Sequence, residues 1–87
     1  MFYKVQDVKP LEKYKLLVYF TNGERKIYDV KPLFYKIEVF KDLICIKGLF
    51  EQVKVDKGGY GISWNENIDL SCNELYYNGI NIRKANQ

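Results

Sequence analysis

The sequence predicts one small α+β domain with an antiparallel β-sheet. Apolar residues alternate with polar ones in the first third of the chain, a pattern typical of half-buried strands. Asn22-Gly23 separates two such stretches and predicts a type I′ β-hairpin. Ser71 and Glu74 have the spacing of a helical capping box, which predicts a helix near the C-terminus. Strands combined with short helices in this order indicate the α+β class.

The N-terminal third predicts a three-stranded meander, with strands at about residues 2–8, 14–21 and 24–30. If the middle strand pairs with both neighbours, the first and third strands run in the same direction on either side of it. One face of the middle strand is expected to enter the core, and that face carries Tyr14, Leu16, Val18 and Phe20.

The meander contains a repeat, because KVQDVKPL at residues 4–11 returns as KIYDVKPL at 26–33. Proline donates no hydrogen bond to a strand ladder, and it keeps the preceding residue extended. Each copy is therefore expected to end a strand, with Lys9 and Lys31 emerging at the same end of the sheet. A duplicated ligand site is the alternative, and we favour the structural interpretation.

The middle of the chain predicts short helices followed by a second hairpin. Apolar residues lie mostly three or four apart across residues 32–50, which indicates one or two short helices interrupted near Gly48. Strands are predicted at 52–56 and 61–65. The segment IDL at 68–70 either extends the second of these strands or adds another.

The C-terminal helix is predicted at residues 72–78, where Asn78-Gly79 supplies a stop signal. Residues 1–82 are therefore expected to form a single domain, and the polar residues 83–87 a flexible tail. With 87 residues in all, the chain can bury one core of modest stability.

The composition argues against most catalytic and metal-binding chemistry. The chain contains no His, which removes the commonest general base and the commonest metal ligand. We therefore expect no enzymatic activity, no metal and no cofactor. Asp56, Glu66 and Asp69 could converge around the second hairpin, but carboxylates that solvate strand ends are the preferred interpretation.

Cysteine spacing and hydropathy indicate the cellular compartment expected for the protein. Cys45 and Cys72 are far apart in the sequence, and the first ten residues lack the apolar region of a secretory signal. No apolar stretch approaches the roughly 20 residues of a membrane span. A cytoplasmic protein with reduced thiols and no membrane association is the expectation.

The glycine-rich loop of the second hairpin is the most distinctive candidate contact. Phosphate-binding loops normally open a helix, whereas here one strand follows another, so a wide hairpin that displays Tyr60 is the preferred interpretation. An exposed tyrosine is a common interface anchor. The residues predicted to contact a partner are Tyr60, Gly58, Gly59, Gly61, Lys9 and Lys31.

Several segments together resemble a known family. They read VQDVKPL, FTNGE, IYDVKPL, LFEQVKVDKGGYGISWNENIDLS and NELY, and they cover residues 3–78. The chain resembles the bacterial "domain of unknown function 2442" proteins, which more often have Pro at the position of Cys72. The resemblance implies a short bacterial protein encoded beside a second small protein, an arrangement suggestive of a toxin–antitoxin pair.

Two functions follow as hypotheses. The first rests mainly on the resemblance, and it is a non-catalytic, antitoxin-like module that binds a small protein encoded nearby. The alternative, less favoured, is a regulatory or single-stranded nucleic-acid-binding domain in which sheet tyrosines stack on bases. Exposed sheet edges would also permit a homo-oligomer. The basic residues available to the nucleic-acid alternative are Lys9, Lys13, Lys15, Arg25, Lys26 and Lys31.

Overall fold

The computed structural model describes residues 1–82, and the predicted tail at 83–87 lies outside the described residues. The α+β class and the antiparallel pairing are confirmed. The strands are β1 (Val5–Leu11), β2 (Lys15–Phe20), β3 (Arg25–Asp29), β4 (Lys54–Val55), β5 (Gly61–Asn65), β6 (Ile68–Ser71) and β7 (Ile80–Asn81). They form two sheets, the first in the order β1-β2-β3-β7 and the second in the order β4-β5-β6.

The helices are α1 (Leu33–Lys36), α2 (Asp42–Cys45) and α3 (Cys72–Asn78), and short 3₁₀ turns lie at 12–14, 38–41, 50–52 and 57–59. The predicted helical region is thus confirmed as several single turns. Ile37 and Ile46 have extended backbone angles and end α1 and α2, as expected where β-branched residues interrupt a helix. Within residues 1–82, no helix has the length and apolar character needed to cross a membrane.

Both sheets contribute side chains to a single core. The predicted inward face of β2 is confirmed at Leu16, Val18 and Phe20, whose side chains are at most 1% exposed. From the second sheet Trp64 is buried, and its indole N–H donates a 3.0 Å hydrogen bond to the carbonyl of Phe50. Burial of these aromatic and aliphatic groups is the main stabilising term in so small a domain.

The first hairpin is confirmed, but its predicted turn type is wrong. The N–H of Phe20 bonds to the carbonyl of Glu24 at 2.9 Å, which closes a three-residue loop. A type I′ turn requires positive φ at both Asn22 and Gly23, and only Gly23 has it, at 93°. Asn22 instead accepts a 2.9 Å hydrogen bond from the N–H of Glu24 through its side-chain oxygen.

The first proline of the repeat does not end its strand, contrary to prediction. The N–H of Val30 bonds to the carbonyl of Tyr14, so the even-numbered residues of β2 direct their main-chain groups toward β3. The odd-numbered residues of β2 therefore form hydrogen-bonded pairs with the odd-numbered residues of β1. The main chain of Val8 and Pro10 therefore points away from β2. Because β1 is an edge strand of the first sheet, the missing N–H of Pro10 removes no ladder bond.

The same copy of the repeat reduces the free donors on the unpaired edge of β1. Asp7 Oδ1 accepts a 2.8 Å hydrogen bond from the N–H of Val8, and Pro10 has no N–H to offer. Two adjacent outward-facing positions therefore present no free donor to another strand. Natural sheets commonly use devices of this kind against edge-to-edge association.

The second copy of the repeat ends β3 as predicted. Asp29 Oδ1 accepts a 3.0 Å hydrogen bond from the N–H of Lys31, which forms an Asx turn, and α1 begins directly after Pro32. Lys31 Nζ donates a 2.7 Å hydrogen bond to the carbonyl of Lys13, in the connection after β1. The two Lys-Pro corners thus lie at the same end of the first sheet, as expected.

The bounds predicted for α3 are confirmed. Ser71 Oγ accepts a 3.1 Å hydrogen bond from the N–H of Glu74, and Gly79 follows the last helical residue. The N–H of Cys72 donates a 2.8 Å hydrogen bond to the carbonyl of Tyr60. A proline at this position would lose this bond between the start of α3 and the loop that precedes β5.

Lys26 attaches the end of α3 to the first sheet. It lies on the inward face of β3, is 8% exposed, and donates a hydrogen bond from Nζ to the carbonyl of Tyr76. The same Nζ lies 3.8 Å from the centroid of the Tyr76 ring. A cation at a helix C-terminus and over an aromatic ring is favourable on both counts. The chain then turns into β7, which pairs with β3 at Lys26 and Ile27 and was not predicted.

Candidate binding groove

An open groove of about 680 Å³ lies between the two sheets, beyond the end of β7. It exists because β7 pairs only with Lys26 and Ile27, so β3 continues for two residues with no neighbouring strand on that side. One wall consists of β3 and α1, and the other consists of β6 and the start of α3. We call this the β3–β6 groove, and its apolar lining is Ile27, Pro32, Leu33, Ile37, Leu70 and Ile80.

The polar lining of the β3–β6 groove is mainly acidic. Asp29, Asp69 and Glu74 line it, and Lys36 is the one cationic side chain among the residues that do so. This local excess of negative charge contrasts with the formal net charge of +3 on the whole chain. Among residues 1–82, no three Cys, Asp or Glu side chains come together as a metal-binding group. The three carboxylates come from different elements, Asp29 from β3, Asp69 from β6 and Glu74 from α3.

Asp29 is held in its charged form at the groove rim. Burial by itself disfavours the carboxylate, but hydrogen bonds from the side chain and backbone of Lys31 outweigh that effect and lower the pKa of Asp29. Lys31 Nζ lies 2.9 Å from Asp29 Oδ1, and both side chains are a little over 40% exposed. The pair is thus accessible to a charged partner group.

The floor of the groove is closed by a hydrogen bond between the two walls. The hydroxyl of Tyr28 donates to Glu74 Oε2 at 2.8 Å. Burial, and then the adjacent Glu74 carboxylate, raise the pKa of Tyr28 above its ordinary value. The hydroxyl therefore remains a donor throughout the physiological pH range, and the two walls stay connected.

The main chain of β6 presents free hydrogen-bonding groups to the groove. Successive residues of β6 direct their main-chain groups alternately toward β5 and away from it. Cys72 N–H bonds to the Tyr60 carbonyl, and Leu70 lies opposite Ile62, two residues further along each strand. By that alternation Leu70 faces β5, whereas the N–H and C=O of Asp69 and the N–H of Ser71 face away from it. Within residues 1–82, β6 is the edge strand of its sheet and pairs with β5 alone, so these groups have no partner strand.

The predicted contact residue Tyr60 lies on the surface, away from the groove. It is 48% exposed, packs edge-on against Phe2 at a centroid distance of 5.3 Å, and has Lys4 Nζ 4.8 Å from its ring centroid. Gly58 is exposed beside it, at the turn of the loop. Tyr60, Phe2 and Lys4 therefore form a small exposed cluster near the start of β1.

The other two glycines of the predicted site are buried and serve the packing of the loop. A Cβ atom at Gly59 would lie 2.7 Å from the carbonyl oxygen of Val5, and one at Gly61 would lie 2.6 Å from that of Leu70. Both positions therefore require glycine so that the loop can approach β1 and β6 closely.

Lys9 and Lys31 do not join Tyr60 in one site. Lys9 lies on the solvent-exposed face of the first sheet, with Nζ 5.7 Å from the ring centroid of Tyr19. Lys31 lies beyond the opposite end of β1 from the Tyr60 loop, roughly 20 Å away by the rise of the strand. None of the six predicted residues lines the β3–β6 groove.

The tyrosines and basic residues available to the nucleic-acid alternative are also dispersed. Tyr28 and Lys26 lie on the buried face of β3, whereas Tyr19 and Arg25 lie on the opposite, exposed face. Tyr35 is 89% exposed on α1. The first sheet therefore does not present its tyrosines as one continuous platform.

The sequence does not predict the groove, although some of the residues that line it have recognisable sequence signals. Ser71 and Glu74 were recognised only as a helix cap, and Asp69 only as a strand-end carboxylate. Their shared position opposite Asp29 depends on how the two sheets pack, and spacing along the chain carries no signal for it.

These features define the class of the molecule, a small α+β domain with two antiparallel sheets and an open, acidic groove between them. The chain belongs to the family described as protein of unknown function (DUF2442), whose model matches residues 5–81. The resemblance seen in the sequence is thereby confirmed over nearly the whole chain. No curated protein and no solved structure matches it.

Proposed function

We propose that the protein is a non-catalytic protein-binding module whose β3–β6 groove receives an extended segment of a partner protein. The observation that carries the proposal is the open main chain of β6, where the N–H and C=O of Asp69 and the N–H of Ser71 face the groove. Extended peptides commonly bind by adding a strand to such an edge. The ladder supplies affinity, and the groove walls supply specificity.

The lining supports a partner segment of mixed basic and apolar character. Alternate side chains of an extended segment point to opposite sides, so one set can contact the apolar wall formed by Leu33 and Ile37. The other set meets the carboxylates, of which Asp69 is exposed. Lys or Arg in that set would form charge-assisted hydrogen bonds.

The family resemblance suggests the first partner to test, a small protein encoded beside this one and possessing toxin activity. The proposal places both proteins in the cytoplasm, which agrees with the two free cysteines of this chain. An antitoxin-like role then means that the groove binds, and so blocks, a segment that the toxin needs for its own activity.

The test is co-expression of the chain with its neighbour's product, followed by co-purification and titration calorimetry. Asp69→Pro removes the outward N–H without breaking a β5–β6 bond, so we expect binding to weaken by about tenfold or more. Asp69→Asn keeps that N–H and removes the charge, and it should weaken binding mainly at low salt.

A matched comparison of Tyr60→Ala with Asp69→Pro decides whether the partner binds at the Tyr60 surface or in the β3–β6 groove. Tyr60→Ala is expected to leave binding to the neighbour's product unchanged, since Tyr60 does not line the groove. If Tyr60→Ala weakens binding while Asp69→Pro does not, the groove is the wrong site. If the two proteins do not associate at all, this partner is wrong.

A further inference from the structure

The face of the first sheet that points away from the core carries a row of side chains that is apolar on β2, β3 and β7 and cationic on β1. The register places Lys9, Leu17, Ile27 and Ile80 side by side on β1, β2, β3 and β7. Leu17 and Ile27 are half-buried and Ile80 is 73% exposed. Within residues 1–82 no helix or strand covers this row, which we call the central row.

Charged and aromatic side chains flank the central row in a self-complementary order. On one side the register places Tyr19 beside Arg25, and on the other it places Lys15 beside Asp29. Arg25 and Asp29 are both exposed, and they lie at equal distances from the central row on the same strand. On β3, opposite charges are therefore arranged symmetrically about that row, with Asp29 also paired to Lys31 at 2.9 Å.

We propose that two copies of this chain associate face to face through the exposed side of the first sheet. A two-fold axis along the central row leaves Leu17 and Ile27 facing their own counterparts. Lys9, at the β1 end of the row, also faces its own counterpart, and its Nζ lies toward the Tyr19 ring, 5.7 Å from the centroid. The same axis exchanges the flanking rows, so that Arg25 of each copy faces Asp29 of the other. Tyr19 likewise faces Lys15, as in a cation–π contact. An interface in which the same patch meets itself is the usual form of a symmetric dimer.

The alternative route, pairing of strand edges, is obstructed on the exposed edge of the first sheet. Asp7 occupies the N–H of Val8, and Pro10 has none, so β1 offers no donor at these two outward positions. The opposite edge is β7, which is two residues long. Association through the face of the first sheet therefore has fewer obstacles than association through either edge of that sheet.

The size of the face predicts a reversible dimer. Three strand spacings of about 4.8 Å and four residue rises of about 3.3 Å, with side chains added, give roughly 500 Å² per copy. Stable interfaces bury about 800 Å² per partner. We therefore expect a dissociation constant in the micromolar range, and the charge pairs determine the orientation more than the affinity.

The test is sedimentation velocity of the full chain from about 10 µM to about 1 mM. The wild type is expected to shift from monomer to dimer over this range, and Leu17→Asp to stay monomeric. Arg25→Asp and Asp29→Arg are each expected to weaken the dimer by about tenfold or more, whereas the double variant restores it to within about threefold. Lys54→Asp, an exposed strand residue of the second sheet, is the control and should leave the dimer intact.

Two outcomes overturn the proposal. A wild-type chain that stays monomeric throughout the range removes the dimer. A double variant that associates as weakly as the single variants removes this geometry. Circular dichroism establishes whether each variant is folded, and if Leu17→Asp is not, the charge exchange between Arg25 and Asp29 decides the question. Leu17 does not line the β3–β6 groove, so Leu17→Asp separates this dimer from partner binding.

Discussion

The hydroxyl of Tyr28 donates a 2.8 Å hydrogen bond to Glu74 Oε2 and thereby ties the first sheet to the first turn of α3. The two residues are 46 positions apart in the chain, and their contact fixes the relative position of the two walls of the groove. Because the acceptor is a carboxylate, this bond is stronger than one between neutral groups. The groove is therefore maintained by a hydrogen bond whose contribution can be measured from the pH dependence of the free energy of unfolding.

Removing this hydroxyl changes how stability depends on pH. The pKa of Tyr28 is raised in the folded state, so the folded protein keeps a proton that the unfolded chain releases above about pH 10. The free energy of unfolding must then fall as pH rises above that value. Tyr28→Phe is expected to lower the free energy of unfolding by about 1–2 kcal/mol at neutral pH and to flatten the alkaline loss.

Urea unfolding from about pH 7 to about pH 11 measures both effects. Tyr35→Phe, at a side chain that is 89% exposed, is the matched control and should behave as the wild type. An alkaline loss of the same size in Tyr28→Phe as in the wild type would show that another group causes it.

The two copies of the repeat predict different consequences for the same substitution. Pro10→Val adds an N–H that points outward from β1, and Asp7→Ala frees the N–H of Val8. The double variant should therefore present two new donors at an unpaired edge and aggregate faster on mild heating. Pro32→Val, which follows β3 and lies outside the strands, is not expected to increase aggregation.

Light scattering during a temperature ramp, with thioflavin fluorescence at its end, compares these variants. Equal aggregation of the Asp7→Ala/Pro10→Val double variant and the Pro32→Val variant would mean that loss of stability is responsible, and not the new donors on the edge of β1.

Sequence reasoning succeeded where a structural feature depends on neighbouring residues. Ser71, Glu74 and Gly79 determine both ends of α3 through contacts within one turn of the helix, and its bounds were predicted correctly. The Asn22-Gly23 hairpin was predicted for the same reason, although the predicted type I′ turn was wrong. These features depend on local hydrogen bonds and on the φ angles that each residue tolerates.

Long-range pairing accounts for what the sequence did not show. β7 is two residues long, and it forms because α3 returns the chain to β3. Lys26 occupies an inward position that an apolar residue would normally take, since the end of α3 supplies a carbonyl and an aromatic ring for it. The groove likewise arises from the gap between two sheets, and no pattern within one strand encodes that gap.

The position of Lys26 predicts a cost when its charge is removed. Lys26→Met keeps the apolar stem but loses the hydrogen bond to the Tyr76 carbonyl and the charge at the end of α3. We expect the free energy of unfolding to fall by about 1–2 kcal/mol. Chemical denaturation measures it, with Lys47→Met, at an exposed position, as the control. A Lys26→Met variant as stable as the wild type would show that packing of the stem alone matters.

Alanine substitutions at two glycines with similar φ angles distinguish the cost of backbone strain from the cost of a steric clash. Gly59 has φ of 80° and Gly23 has φ of 93°, so alanine is strained at both, at a cost of about 1 kcal/mol. At Gly23 an added Cβ meets nothing within 4 Å, whereas at Gly59 it would lie 2.7 Å from the carbonyl oxygen of Val5. Gly59→Ala should therefore destabilise the fold by a further ~1–3 kcal/mol, because the loop must move away from β1. Urea unfolding of both variants gives the difference directly, and equal losses would refute close packing of the loop against β1.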